Sequence, residues 1–249
     1  MKKHAKVSVD LPIQELLLRR TLPVVINSYN QYTYLHQLVE KLTRDQFKNI
    51  VVLDNDSTYP RLLSYYKSLT KSGQVLIIYY GENRGPHFFH LRHLYRMFGS
   101  LPHLYTDPDV SYEELAPDFV SHLLFLSEKY SMFKVGPALE IPSAEDTDPA
   151  VFCQNKGRRY TVQEWEGQFW EKQIEEGVYY PGHIDTTFHL FNPKHFPNDL
   201  ALVDGIRVGK PGFVFKHLPW YKQKITTTDE ERLYRASARH STWLTDAAA

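Results

Sequence analysis

The sequence has little of several features that define whole classes of protein. Its single cysteine, Cys153, excludes an intramolecular disulfide framework and a zinc site built from several cysteines. No apolar run approaches the roughly 20 residues that a membrane-spanning helix needs. The 29 Lys and Arg residues balance the 29 Asp and Glu residues, so the zero net charge does not favour a nucleic-acid-binding protein. The sequence also has no internal repeat and no low-complexity segment.

What remains is the composition of a folded domain. Hydrophobic residues make up 42% of the 249 residues and aromatic residues 14%, which is enough to bury a core and argues against disorder. The length suits one sizeable α/β domain. Residues 1–6 are basic, but no apolar segment follows them, so we expect no signal peptide and a cytoplasmic location.

Four apolar runs alternate with helical patterns in the first half of the chain. Each run resembles a short buried strand, and the segments between the runs carry apolar residues at helical spacing. This order predicts a parallel sheet with right-handed crossovers. The predicted strands are residues 22–26, 50–53, 75–80 and 104–105, and the predicted helices lie over residues 32–42, 60–69 and 86–98, with Asn30 as the cap of the first.

Polar side chains follow each of these strands. The carboxyl ends of parallel strands meet at one edge of a sheet, which is where open α/β sheets bind ligands. We therefore expect a polar, ligand-binding edge made of residues 27–30, 54–57, 83–85 and 107–109.

The second half is less regular. A helix is expected over residues 119–130, a strand over 133–139, a loop-like segment over 141–159 and another strand over 187–191. Two capping boxes predict helix starts. They lie at residues 161–164, before a helix that carries Trp165, Phe169 and Ile174, and at 228–231, before a helix that ends near His240.

Asp107 and Asp109 stand in the sequence Asp-Pro-Asp directly after the fourth predicted strand. Two carboxylates two residues apart on extended backbone point the same way and can share a hard divalent cation. Mg²⁺ or Mn²⁺ held in this way usually also takes phosphate oxygens of a substrate. The alternative is a proline turn with two solvated aspartates, and the position at the ligand-binding edge favours the metal.

Taken together, the four strands and their polar clusters resemble those of GT-A glycosyltransferases, closest to family 2. The matching segments are residues 24–30, 50–57, 82–85 and 104–109. The resemblance implies a Rossmann-like α/β fold with a mostly parallel central sheet flanked by helices. It implies one domain over residues 1–249, in which about 22–140 binds a nucleotide sugar and about 141–249 binds the acceptor and ends in the C-terminal helix.

The implied activity is the metal-dependent, inverting transfer of a sugar from a nucleotide-diphosphate sugar, a UDP-sugar favoured, to a saccharide or lipid-linked saccharide. The resemblance suggests Mn²⁺ or Mg²⁺ as cofactor and bacterial polysaccharide or glycoconjugate synthesis as the setting. A peripheral contact with the inner face of the membrane is one interpretation of the basic residues near each end, and solvated charge is the other. These residues are Lys2, Lys3, Lys6, Arg232, Arg235 and Arg239.

The resemblance also carries individual roles onto this sequence. Asp109 is implied as the principal metal ligand, and Asp107 as a group that faces the metal or the ribose. His217 resembles the histidine with which many GT-A enzymes complete the metal site, and an imidazole suits Mn²⁺ beside a carboxylate. Residues 54–57 lack the glycine that the family commonly has in this turn. The residues implied in nucleotide binding, besides Asp107, are Asn27, Tyr29, Asp54, Asp56 and Arg84.

Inverting transfer needs a carboxylate near the acceptor hydroxyl to take its proton. Two candidates are present: Asp185, at the start of a predicted strand, and Asp204, before Gly205 in a predicted loop. The end of a strand would hold Asp185 more firmly. Capping the entry to that strand is the alternative role of Asp185.

Two further patterns have a structural explanation beside a functional one. His87, His90 and His93 recur every three residues, a spacing that drifts around a helix and does not favour a zinc site. A group of aromatic residues could stack on an acceptor sugar or fill the core. These are Trp165, Phe169, Trp170, Tyr179 and Tyr180.

Two other functions fit parts of the sequence. Residues 51–58 match the apolar-run D-x-D-x-T pattern of haloacid-dehalogenase-like phosphatases, with Asp54 as nucleophile, although that motif normally ends the first strand. A non-catalytic carbohydrate-binding protein would keep the aromatic residues without needing both Asp107 and Asp109.

Overall fold

The structure is a computed structural model that describes residues 11–197, 202–238 and 243–245. In these residues none of the helices has the length and apolar character needed to cross a membrane. The α-helices of the described chain are α1 (Ile13–Thr21), α2 (Tyr32–Arg44), α3 (Pro60–Ser72), α4 (Phe88–Leu91), α5 (Phe119–Tyr130), α6 (Val162–Gly167) and α7 (Thr228–Ser237). The 3₁₀ helices are Leu94–Phe98, Gln168–Trp170, Pro193–His195 and Leu218–Trp220.

The strands of the same residues are short. They are β1 (Val24–Ser28), β2 (Ile50–Asp54), β3 (Val75–Tyr79), β4 (His103–Thr106), β5 (Val110–Ser111), β6 (Lys134–Leu139), β7 (Val151–Asn155), β8 (Arg158–Tyr160), β9 (Gln173–Glu175), β10 (Val178–His183), β11 (His189–Phe191), β12 (Asp204–Val208), β13 (Val214–His217) and β14 (Trp243–Thr245).

The main sheet has the strand order β3-β2-β1-β4-β11-β6-β12-β10-β9. Strands β3, β2, β1 and β4 are parallel neighbours, whereas β11 is antiparallel to both β4 and β6. Strand β13 pairs with β6 and with β5. Strands β7, β8 and β14 form a separate small sheet. The predicted α/β fold, with a parallel central sheet and flanking helices, is confirmed.

The central parallel strands β1 and β2 are buried on both faces, which explains why they read as continuous apolar runs. One face packs against α2, α3 and α5 through residues such as Leu38, Tyr66 and Leu123. The other face carries a smaller cluster around Tyr105 and Phe191, together with residues of α4 and the 3₁₀ helix after it. The carboxyl ends of the strands are left open for a site.

Several elements differ from the sequence-based expectation. The helix expected over 86–98 is broken at His93, whose backbone is left-handed at φ 54, so that a four-residue helix is followed by a 3₁₀ helix. The loop expected over 141–159 contains β7, which gains its partners from β8 and β14. The helix that was expected to carry Ile174 ends at Gly167, and Ile174 lies on β9.

Some of the predicted helix N-caps are confirmed and others are wrong. The capping box of Thr161 and Glu164 is confirmed. The second box is wrong, because Thr228 is already the first helical residue of α7, and the predicted end of that helix at His240 lies outside the described residues. Asn30 is not the N-cap of α2; its Oδ1 accepts hydrogen bonds from the Thr58 amide at 2.7 Å and the next amide at 3.0 Å.

Glu15 is a buried carboxylate that joins α1 to α5. Its Oε1 accepts from Arg19 Nε at 2.6 Å and from the Val120 amide at 3.0 Å, and its Oε2 accepts from the Ser121 amide at 2.9 Å. Because Glu15→Ala would leave a buried guanidinium and two amides without this acceptor, we expect the free energy of unfolding to fall by about 3 kcal/mol. Urea denaturation measures the loss. Ile13→Ala on the same helix is the control: Ile13 is 79% exposed, and an equal loss there would contradict the explanation.

Candidate active site

A cavity of about 150 Å³ lies at the carboxyl ends of β1, β2 and β4. The first half of the chain contributes the residues after these strands, and the second half contributes a loop before β11, the end of β13 and helix α7. The lining is rich in amide, hydroxyl and carboxyl groups. It includes Asn27, Asn55, Asp107, Asp109, Asp185 and Thr186.

Side chains from successive strand ends form one chain of hydrogen bonds along this edge. The Arg84 amide donates to Asn55 Oδ1 at 3.1 Å, and Asn55 Nδ2 donates to Asn27 Oδ1. Asn27 Nδ2 donates to Asp107 Oδ1 at 3.0 Å, and the Thr186 hydroxyl donates to Asp107 Oδ2. These bonds hold the Asp107 carboxylate in a fixed orientation at the cavity wall.

Asp109 and His217 face each other because two short strands pair. In the antiparallel pair of β5 and β13, His217 lies opposite Val110, the residue after Asp109. The Leu218 amide also donates to the Asp109 carbonyl at 2.8 Å. His217 Nε2 is 3.7 Å from Asp109 Oδ1. All three residues predicted as metal ligands, Asp107 included, therefore line the same cavity.

The charges in this cavity oppose one another's ionisation. Burial, and after it the charge of Asp109, raise the pKa of Asp107 far above its usual range. Burial lowers the pKa of His217 in spite of the neighbouring Asp109 carboxylate, so the imidazole is neutral at pH 7. A neutral imidazole is the form that binds metal ions.

The donor set of this cavity suits a divalent cation. In the part of the chain that the structure describes, the His, Cys, Asp and Glu side chains do not form a group of three close enough to hold a metal ion without moving. The Asp109 Oδ1 atom is nevertheless buried and accepts no hydrogen bond, which is costly for a carboxylate oxygen that has no cationic partner. A 2+ charge would offset the repulsion between Asp107 and Asp109, and two carboxylates with an imidazole are ligands that Mn²⁺ accepts.

A second cavity, of about 280 Å³, adjoins the first. Asp185, Thr187 and His217 line both cavities, so they form the boundary between them. The remaining walls are aromatic and polar. They include Trp165, Trp220, His183, Gln154 and Asn155.

Asp185 is held on two sides at this boundary. Its Oδ1 lies 2.9 Å from His87 Nε2. Burial alone would raise the pKa of Asp185, but the hydrogen bond and charge interaction with His87, together with the charges of Lys134 and His183, hold the pKa below its usual range. The buried ammonium of Lys134 donates to the carbonyls of Ile184 and Asp185, at 3.1 and 2.8 Å, and so fixes the loop. The other candidate base, Asp204, is exposed at the start of β12 and lines neither cavity.

Three residues predicted to bind the nucleotide lie outside the lining of the first cavity: Asp54, Asp56 and Arg84. The Asp54 carboxylate is buried and accepts a hydrogen bond from the Tyr66 hydroxyl at 2.9 Å. Asp56 is exposed in the turn after β2, at φ 67. The Arg84 guanidinium pairs with Glu82. Their part in nucleotide binding stays a prediction.

Three other lining residues did not stand out in the sequence. Gln31, directly after the predicted polar cluster, donates to Asp109 Oδ2 at 3.5 Å, and Thr186 follows the predicted Asp185. Adjacency to a predicted site residue is the signal that could have found these two. Tyr234 comes from α7, with its ring 6.4 Å from that of Tyr29, and no sequence pattern connects the two.

The predicted aromatic group divides between the second cavity and half-buried packing outside the core. Trp165 lines the second cavity, whereas Trp170 packs on Tyr179 with ring centres 5.2 Å apart and donates to the Leu139 carbonyl. His90 is buried behind the site, where its Nε2 lies 3.4 Å from His103 Nε2. Burial in this aromatic cluster, rather than a shared helix face, explains why histidine occurs at residue 90.

Burial lowers the pKa of His103 to about 3. An imidazole in the unfolded chain titrates near pH 6.5, so between these two values the unfolded state binds a proton that the native state does not, and stability falls as the pH falls. Between about pH 3 and 6.5, we expect the free energy of unfolding of His103→Gln to change with pH by about 1.4 kcal/mol per pH unit less than that of the unchanged protein. Urea denaturation at a series of pH values measures the slope, and an unchanged slope in the variant would contradict the assignment.

The fold is similar to that of known glycosyltransferases, the class that the sequence motifs resemble. One similar structure is GalNAc-T7 with UDP, GalNAc and Mn²⁺, at 15% identity and a TM-score of 0.49, over 86% of this chain and 47% of that chain. Another is the mannosyltransferase PcManGT from Pyrobaculum calidifontis in complex with GDP-Man and Mn²⁺, at 15% identity and a TM-score of 0.45, over 91% of this chain and 63% of that chain. S. aureus TarS matches 52% of this chain and 23% of its own, at 17% identity and a TM-score of 0.37.

The chain thus spans 47% and 63% of the length of the first two structures. No protein-family model matches the sequence, and no curated protein does. The assignment of a function therefore depends on the side chains of the site.

Proposed function

We propose that the protein is a metal-dependent glycosyltransferase that moves a sugar from a nucleotide-diphosphate sugar to a saccharide or lipid-linked saccharide. The observation that carries this proposal is the pair of carboxylates formed by half-buried Asp107 and buried Asp109, beside His217 at the carboxyl ends of parallel strands. A second cavity adjoins this one, and a carboxylate, Asp185, lies at the boundary. Two adjoining cavities with a base between them suit a two-substrate transfer.

The first cavity would take the donor, with a UDP-sugar favoured. Asp107, Asp109 and His217 would hold Mn²⁺ or Mg²⁺, which when bound neutralises the charge that builds up on the departing diphosphate. The amide groups of Asn27 and Asn55 are fixed by the hydrogen-bond chain described above and offer partners to polar parts of the nucleotide.

The second cavity would take the acceptor. Trp165 and Trp220 offer aromatic surface, and Gln154 offers amide groups for sugar hydroxyls. Asp185 would take the proton of the acceptor hydroxyl as the hydroxyl oxygen bonds to the sugar carbon and the nucleoside diphosphate leaves from the opposite side, with inversion. The low pKa of Asp185 keeps this carboxylate ionised at neutral pH.

Donor binding would require helix α7 to move. The first cavity holds about 150 Å³, below the range of about 300 to 1,000 Å³ of most small-molecule sites, and Tyr234 of α7 forms part of its wall. The helix buries little of itself: Glu230 is its buried residue, held by hydrogen bonds from the Thr33 amide and hydroxyl at 2.8 and 2.6 Å.

The test is the melting temperature with UDP, GDP, dTDP and ADP, each with and without Mn²⁺. A ligand at 100 times its Kd stabilises the native state by about 2.7 kcal/mol, which raises Tm by about 5 °C or more in a chain of this size. We expect one nucleotide to do so, and only with Mn²⁺. No shift with any nucleotide at millimolar concentration would contradict the donor site.

The two alternatives make different predictions. A phosphatase would need Asp54 as an accessible nucleophile, but this carboxylate is 3% exposed and bonded to Tyr66. A non-catalytic carbohydrate-binding protein would keep its affinity for saccharides after Asp107→Asn and Asp109→Asn together, whereas the transferase would lose turnover.

A further inference from the structure

One face of the parallel sheet has a thin cover. The opposite face packs against the long helices α2, α3 and α5. On the thinly covered face, Val51, Tyr105 and Phe191 pack against α4 and the 3₁₀ helix Leu94–Phe98, which have four and five residues. We call residues 87–101 the covering segment.

The covering segment is anchored from inside and apolar outside. Phe89 and Tyr95 are almost fully buried in the cluster beneath it. Leu91, Met97 and Leu101 are 60%, 58% and 59% exposed. Exposing several large apolar side chains on one short segment costs free energy in water, and such surfaces often mark interaction sites.

The edge strand extends this surface. Side chains two residues apart on a strand lie on the same face of a sheet. Ile78 of β3 packs into the cluster under the covering segment, so Leu76 points to the same face, where it is 58% exposed.

The covering segment carries basic side chains and no acidic ones. Between Glu82 and Asp107 the sequence has no acidic residue. Arg92 and Arg96 are exposed beside the apolar side chains, and in the described part of the chain neither forms an ion pair. Apolar side chains next to arginines, without acidic residues, are the composition of surfaces that lie on anionic membranes.

We propose that the outer face of the covering segment binds the surface of an anionic lipid bilayer, with Leu91, Met97 and Leu101 entering the headgroup region and Arg92 and Arg96 contacting lipid phosphates. Apolar burial supplies part of the affinity, and each arginine near an anionic surface adds to it. This contact does not depend on the enzymatic activity.

The position of the surface has a consequence that rests on the proposed function. The covering segment begins directly at the site, since Pro86 lines the first cavity and His87 the second. A bilayer on this face would lie next to His87 and so close to the second cavity, the proposed acceptor site. The acceptor class that fits is therefore a saccharide linked to a lipid rather than a free one.

Sedimentation of the full chain with vesicles tests the membrane contact. The vesicles contain phosphatidylcholine alone or mixed with phosphatidylglycerol. We expect binding to the mixed vesicles that weakens with salt. Leu91→Ser, Met97→Ser and Leu101→Ser together should lower the partition coefficient about tenfold or more, and Arg92→Glu with Arg96→Glu should remove the preference for the anionic lipid.

Matched variants elsewhere on the surface serve as controls. Ile13→Ser with Leu17→Ser removes equally exposed apolar side chains from α1, and Lys67→Glu with Lys71→Glu makes the same charge change on α3. Melting temperatures confirm that every variant is folded. We expect both controls to bind vesicles as the unchanged protein does.

Three outcomes would overturn the membrane contact. The first is that the protein binds neither kind of vesicle, and the second is that the control variants lose as much vesicle binding as the covering-segment variants. The third is that the covering segment pairs two copies of the chain. The last would show in light scattering as a dimer that the triple serine variant abolishes. If the vesicles bind but no nucleotide raises Tm, the membrane contact stands and the glycosyltransferase proposal fails.

Discussion

Asp109→Asn is expected to abolish Mn²⁺-dependent nucleotide binding and to lower the rate of sugar transfer about 10³-fold. The reason is that Asp109 Oδ1 is a buried carboxylate oxygen without a hydrogen bond, and it lies next to His217. A bound cation supplies several kcal/mol of charge stabilisation in reactions of this kind, and the amide of asparagine holds it poorly. The measurements are Tm with nucleotide and Mn²⁺, and the Mn²⁺-dependent release of nucleoside diphosphate.

Asp109→Asn should lower activity without lowering the stability of the metal-free protein. The Asp109 charge raises the pKa of Asp107, because two carboxylates in one cavity repel each other. Removing one charge should leave the protein without metal at least as stable as before. Asp118→Asn is the control, since Asp118 is exposed before α5 and lies outside the lining of both cavities. If Asp109→Asn keeps the Mn²⁺-dependent shift in Tm, the assigned metal ligand is wrong.

Asp185→Asn is expected to lower kcat by about 10² to 10⁴, the usual contribution of a general base, while the nucleotide still raises Tm. Asp185 lies at the boundary between the two cavities, where an acceptor hydroxyl would meet the donor. Asp204→Asn is the matched control, because Asp204 is exposed and lines neither cavity. A larger loss of kcat in Asp204→Asn would reverse the assignment of the base.

The pH profile gives an independent check of the same residue. The contact with His87 helps to hold the pKa of Asp185 below its usual range, so the carboxylate stays ionised when the solution is mildly acidic. His87→Gln removes that charge and leaves burial, which raises the pKa of Asp185. We therefore expect the acid limb of kcat/KM to move to higher pH in His87→Gln. An acid limb that stays in place would show that His87 does not tune the carboxylate.

The local pattern of the chain was a good guide wherever structure depends on near neighbours. The helix expected over 119–130 is α5, and Pro60 opens α3 as predicted. The polar clusters after β1 and β4 line the first cavity because parallel strands bring their carboxyl ends to one edge. Strand β7, which the sequence did not predict, pairs with β8 directly after it in the chain and with the distant β14.

Side-chain direction was harder to foresee. The turn after β2 was expected to present Asp54 and Asp56, but the residue between them lines the cavity. Successive side chains on extended backbone point to opposite sides, so when Asp54 turns inward to Tyr66, Asn55 turns to the cavity. A prediction that is wrong by one residue in this turn therefore places a carboxylate in the cavity where the structure has an amide.

The sequence alone determined the α/β class, the succession of the first four strands along the chain and the edge at which Asp107 and Asp109 stand. These follow from periodicity and from the alternation of strands with helices, whereas the order of the strands in the sheet came from the structure. Only the tertiary structure decided what surrounds that edge. His217 reaches Asp109 through the pairing of β13 with β5, and Asp185 lies between two cavities because Lys134 and His87 hold its loop. Contacts of this kind join residues far apart in the chain, and no local pattern encodes the packing that brings them together.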